Sequence, residues 1–148
     1  MRKLLLTLAA AASPLAAQNA PMLIDSTRTV PLSLGQWSYI ASTTASEARF
    51  GASFSLRCDR TTRRMTLRRL ESIATPPSAM TIGTDLAVGT IPADGAVANN
   101  DPLLDAIAFS RGRFIVSGNG AVGGGGAGGR LVLPASPEAA RSIEDCRN

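Results

Sequence analysis

The chain of 148 residues has no histidine. Without an imidazole there is no Ser-His-Asp or Cys-His nucleophile system and no histidine-based zinc site. Lysine is nearly absent: Lys3 is the only one. It lies in a segment read below as cleaved, so Ser-Lys catalysis, lysine Schiff bases and a phosphate-loop lysine go with it. Cysteine occurs twice, at Cys58 and Cys146, and aromatic residues make up 4% of the chain. No apolar run reaches the roughly 20 residues that a membrane-spanning helix needs. Carboxylates, hydroxyls and arginines are left, and no constellation of them specifies a reaction, a metal or a cofactor. The expectation is a protein that is not an enzyme.

The N-terminus has the order of a secretory signal. Met1-Arg2-Lys3 is followed by the apolar run Leu4 to Ala12, then Ser13-Pro14 and the small residues Ala16-Ala17. Cleavage is expected near Gln18. The chain then divides into a signal peptide at 1–17, an N-terminal leader with an edge strand at 18–35, and a single β-rich domain at 36–148. Export to the periplasm or the medium follows. Of the 15 basic residues, removal of Arg2 and Lys3 leaves 13 against 11 acids, a net charge of +2. That balance gives no reason to expect nucleic-acid binding.

Two cysteines in an exported chain are most simply one disulfide. A Cys58–Cys146 bridge closes a loop of roughly 90 residues, about 4 kcal/mol in the chain-entropy treatment. The local patterns agree with it. Over 48–58, Phe50, Ala52, Phe54, Leu56 and Cys58 alternate with polar or small residues, which predicts a strand with Cys58 turned inward. Ser136-Pro137 predicts the start of a terminal helix on which Ala139, Ile143 and Cys146 share one face.

The rest reads as short strands. Thr29 to Leu32 is expected as an edge strand, because Pro31 cannot donate to a central ladder. Trp37 to Ile40, 63–70, 79–82, 86–91, Arg113 to Ser117 and Arg130 to Leu133 are further candidates, and 93–100 reads as loop. Asp101-Pro102 predicts a helix of about ten residues that Gly112 ends. The expected fold is mainly β: an antiparallel β-sandwich or open β-barrel with two short helices, the C-terminal one disulfide-linked to the sheet.

Two motifs with a chemical reading are set aside. Gly118 to Gly123 matches G-x-G-x-x-G after a strand, but Gly124 to Gly129 cannot open the helix that a pyrophosphate site requires. A hairpin tip without a ligand is expected there. Asp101 and Asp105 share a helix face, and both are explained by capping and the helix dipole.

The candidate site is the arginine run. Arg57, Arg60, Arg63, Arg64, Arg68 and Arg69 fall within a few residues of one another on a predicted hairpin. Strand parity puts Arg57, Arg64 and Arg68 on the outward face, where like charges side by side repel. Arg57, Arg60, Arg64 and Arg68 are taken as the anion-binding or partner-binding set. The partner would be an anionic glycan or an acidic protein surface. The competing explanation is a solvated edge whose charge prevents strand aggregation. No aromatic interleaves with the arginines, which disfavours single-stranded nucleic acid.

Several features together resemble a known group. They are the Trp37 strand after a signal peptide, Arg57-Cys58 closing a hairpin strand, the run Asp101 to Phe114, and the ending Leu131 to Arg147. The chain resembles small exported proteins of sphingomonad-like alphaproteobacteria and, more distantly, the invasion-associated locus B family. The resemblance covers about residues 36–146. It implies the order short helix, glycine-containing hairpin, terminal helix with cysteine, and it carries no catalytic residue over. No cysteine accompanies Trp37, which departs from that family's pattern. The reading from the residues is a non-enzymatic exported binding or envelope-associated domain. The alternative is a small periplasmic protease inhibitor inserting its leader, Gln18 to Ser26, into an active site.

Overall fold

A computed structural model describes residues 28–70, 79–118 and 129–148. Nine strands and two helices are formed among them. In chain order they are β1 (Trp37–Ala41), β2 (Ala45–Phe50), β3 (Phe54–Asp59), β4 (Arg64–Arg69), β5 (Ala79–Gly83), β6 (Val88–Pro92) and β7 (Ala96–Ala98). Helix α1 (Pro102–Ala108), β8 (Arg113–Gly118), β9 (Leu131–Pro134) and helix α2 (Pro137–Asp145) complete the order. The first sheet runs β1-β2-β3-β4-β7 and the second β6-β5-β8-β9. Every pairing is antiparallel, and neither sheet closes into a barrel.

Period-two patterning builds the core. Phe50, Phe54, Leu56, Met65 and Leu67 of the first sheet meet Ile82, Phe114, Val116 and Leu133 of the second. Phe54 and Phe114 rings touch across the gap, with centroids 6.2 Å apart at a steep angle. Each large side chain fully removed from water contributes about 1.5–3 kcal/mol.

The eleven-residue strand expected at 48–58 is two strands. A three-residue turn at Gly51, Ala52 and Ser53 folds it into a hairpin, with Phe50 opposite Phe54. Gly51 takes φ +51° there, a conformation that favours glycine. The apolar parity survives the turn because directly opposed residues share a face, and an odd-length turn keeps the even spacing. The period alone therefore could not reveal the break.

Other local expectations are also corrected. Thr29 to Leu32 forms no strand. Instead Ser33, just after it, reaches β9, donating its N–H to the Val132 carbonyl at 2.8 Å and accepting the Val132 N–H on Oγ at 3.0 Å. Within 93–100, expected as loop, lies β7. Helix α1 is seven residues long and ends at Phe109, short of Gly112.

Helix α2 forms as the sequence indicates. Ser136 Oγ accepts from the Glu138 N–H, and Ala139, Ile143 and Cys146 are buried. The Cys58–Cys146 disulfide is present, with Cα atoms 5.4 Å apart. One turn earlier the buried Ser142 hydroxyl donates to the Leu56 carbonyl at 3.1 Å. The helix is thus held to β3 by a covalent link and a hydrogen bond, both shielded from water.

Candidate arginine face

The outward side of the first sheet carries the site. Register arranges its side chains in rows across the strands. One row runs Ser38, Arg49, Ser55, Arg68. The next runs Ile40, Glu47, Arg57, Thr66, Ala96. A third joins Asp59, Arg64 and Ala98. Arg57, Arg64 and Arg68 are all exposed on this face, as parity requires. Beside Arg57 and Arg68 lies a shallow depression of about 370 Å³, lined by Arg49, Arg57 and Arg68, by the carboxylates Glu47 and Asp59, and by the Ser55 and Thr66 side chains.

The charges are only partly offset. Glu47 accepts from Arg49 Nη2 at 3.0 Å and lies 3.7 Å from Arg57 Nη1. Asp59 forms no ion pair within 4 Å among the described residues but still feels the Arg57 charge, and its Oδ1 accepts the Thr61 and Thr62 amides, each at 2.9 Å, in the β3–β4 turn. The Thr62 amide in particular holds the Asp59 carboxyl below its ordinary range, so it stays ionised. Among the described residues, Arg64 and Arg68 form no ion pair. Diagonal neighbours on adjacent strands stand about 7–8 Å apart, so the guanidinium groups of Arg57 and Arg68 can converge on one anion.

Arg60 does not belong to this face. The turn aims it toward the end of α2, where Nη2 donates to Asp145 Oδ2 at 2.8 Å. The Tyr39 hydroxyl donates to the same oxygen, and the Arg141 guanidinium lies 4.6 Å from the Tyr39 ring centroid. Arg63, at φ +55° in the turn, stands beside Arg60 at a second, smaller depression. Arg69 faces away from the outer surface and donates to the Gly129 carbonyl. The structure adds Arg49 and Glu47 to the face. They lie on β2, outside the arginine run, and only the β2–β3 turn brings them alongside Arg57. With 48–58 read as one strand, parity already puts Arg49 on the same side as Arg57, but far along the strand from it rather than alongside.

The two carboxylates set aside on sequence grounds are structural. Asp101 caps α1 by accepting the Leu103 N–H at 2.8 Å, and Asp105 pairs with Arg147 Nη1 at 2.6 Å. No group of three acidic, cysteine or histidine side chains among the described residues is placed to hold a metal. No described helix is long and apolar enough to cross a membrane. The signal segment, the leader Gln18 to Ser26 and nearly all of the G-x-G-x-x-G match lie outside the described residues.

Fold and site together define an antiparallel two-sheet protein with a stapled terminal helix and an arginine-bearing outer face. Comparison of the chain with family models, curated proteins and solved structures found no match.

Proposed function

We propose that this is an exported, non-enzymatic binding domain whose first sheet takes an anionic partner, an anionic glycan or an acidic protein surface, on its outer face. The observation that carries the reading is the cluster of Arg49, Arg57 and Arg68 around a shallow depression that also holds Glu47 and Asp59, so that three guanidinium groups meet two carboxylates there. Holding like charges side by side on a sheet costs tenths of a kcal/mol per pair, and an anion placed among them reverses that sign. The Ser55 and Thr66 side chains in the same depression suit a hydroxylated or carboxylated ligand. Export is supported by the Cys58–Cys146 bridge, since such bonds persist in oxidising compartments.

The test is the double variant Arg57→Gln with Arg68→Gln. Expected are an unchanged or slightly raised melting temperature and a clear loss of retention on an anionic polysaccharide matrix. Wild-type retention should fall as salt rises, because exposed charges are screened within about 10 Å at 0.1 M. Unaltered retention with increased aggregation would instead assign the face to protection against strand pairing.

A further inference from the structure

The two sheets have four edges, and three of them are blunted. Strand β7 is three residues long. Strand β6 contains Gly89 and ends in Pro92, both poor ladder residues, and α1 lies against it: a Cβ at Gly89 would meet Leu103 at 2.7 Å. At β9 the edge is occupied. Val132 is bonded to Ser33 through both its N–H and its carbonyl, and the Pro134 carbonyl accepts from Trp37 Nε1 at 2.9 Å.

Strand β1 has none of these devices. It spans Trp37–Ala41 with no proline, glycine or charge, and from Thr29 to Ser46 the chain carries no charged residue at all. Its hydrogen-bonding phase follows from two bonds. The Gly51 N–H donates to the Gln36 carbonyl, and the Ser42 N–H donates to the Ala45 carbonyl. Even-numbered residues therefore bond to β2, and Trp37, Tyr39 and Ala41 turn their N–H and carbonyl groups outward. Among the described residues nothing receives those groups. Ile40, beside them on the outer face, is 70% exposed. An uncharged edge with outward-facing backbone groups is a template for another strand.

We propose that the occupant is β1 of a second copy of this chain, paired antiparallel about a two-fold axis through Tyr39. The strand is self-complementary in that register. Trp37 faces the second Ala41 and Tyr39 faces the second Tyr39 as hydrogen-bonded pairs, giving about six backbone bonds by the pairing rule. Ser38 and Ile40 face each other in the pairs between. No like charges meet. The two sheets then continue as one, with their outer faces on the same side, so both arginine clusters lie on a single surface.

Sedimentation equilibrium of the exported chain over a wide concentration range, with amide exchange followed in parallel, tests this. Expected is a concentration-dependent dimer in which the Trp37, Tyr39 and Ala41 amides become protected as it forms. Replacing Ser38→Lys with Ile40→Lys puts like charges opposite each other twice and should weaken dimerisation by roughly tenfold or more. The variant Ser38→Glu with Ile40→Glu should weaken it similarly, while a mixture of the two restores pairing as a heterodimer. That rescue cannot come from misfolded chains. A monomer at every concentration with freely exchanging edge amides overturns the proposal, and so does a dimer that leaves those amides unprotected. An added extended peptide that protects them in a chain that stays monomeric would give the edge to a foreign strand and overturn self-pairing.

Discussion

Arg60 and Asp145 meet across most of the domain, with Arg60 Nη2 2.8 Å from Asp145 Oδ2, and this pair separates one arginine of the hairpin from its neighbours. The contact joins the β3–β4 turn to the last residue of α2, beside the disulfide. Both side chains are partly shielded, at 32% and 23% exposure, so the pair is worth more than a fully solvated one. Arg60→Gln is therefore expected to lower the melting temperature and leave retention on an anionic matrix unchanged. Arg57→Gln should do the reverse. Measuring both quantities for both variants checks the division, and a loss of retention in Arg60→Gln would place Arg60 back in the binding set.

The same pair sets a pH dependence. Burial pushes the Asp145 carboxyl up, but the hydrogen bonds from Tyr39 and Arg60 outweigh it and hold the group below its ordinary range. A carboxyl depressed on folding stabilises the native state above its unfolded pKa, and that contribution is lost as pH falls through the folded value. Burial and the bond to Asp145 raise the Tyr39 hydroxyl above its ordinary value of 10.0. Its contribution is complete below the unfolded value and is lost as pH rises through the folded one. The network thus supports a stability plateau between the carboxylate and phenol ranges, falling at each end. In Asp145→Asn the plateau should drop and both flanks become shallower, as urea denaturation across pH would show.

Reduction provides a larger effect. The Cys58–Cys146 bridge joins residues 88 apart in sequence, and both cysteines are fully buried. Native protein should resist a mild reductant, and thiol labelling of the unfolded, unreduced chain should find no free thiol. Cys146→Ser should cost about 2–5 kcal/mol in urea unfolding, the usual range for a native bridge. Two reactive thiols in the native protein would contradict the pairing.

What the sequence made legible divides by range of interaction. The bridge could be read because β3 parity and α2 phase each turn one cysteine inward, and these are properties of a single element. The capping of α1 and α2 by Asp101 and Ser136 was legible for the same reason. The alternation of 48–58 turned Arg49 to the same side as Arg57, but the position of Arg49 and Glu47 beside Arg57 depends on the turn at Gly51 that an unbroken alternation conceals. Arg60 was assigned to the face because turn residues obey no strand parity, and its partner lies at the far end of the chain. Thr29 to Leu32 carries the composition of an edge strand, yet the neighbouring β9 edge is met instead by the Ser33 backbone and hydroxyl and the Trp37 indole N–H.

Strand β7 supplies the last expectation. Its three residues give no alternation to read, and Gly95 before it lies within 93–100, which reads as loop. In the structure Gly95 has φ +74°, its carbonyl accepts the Leu67 N–H at 2.9 Å, and its Cα sits so close to β4 that an added Cβ would lie 2.1 Å from the Leu67 carbonyl oxygen. Backbone, which cannot swing aside like a side chain, is the obstacle. Gly95→Ala should therefore strain the left-handed conformation and also push β7 off β4, costing about 2–4 kcal/mol. Gly112→Ala isolates the first effect: φ there is +98°, but nothing lies within 4 Å of the added carbon. Its cost should be about 1–2 kcal/mol, the strain alone. Urea denaturation of the two variants measures the difference, and equal costs would mean that the close approach of Gly95 to Leu67 does not hold β7 in place.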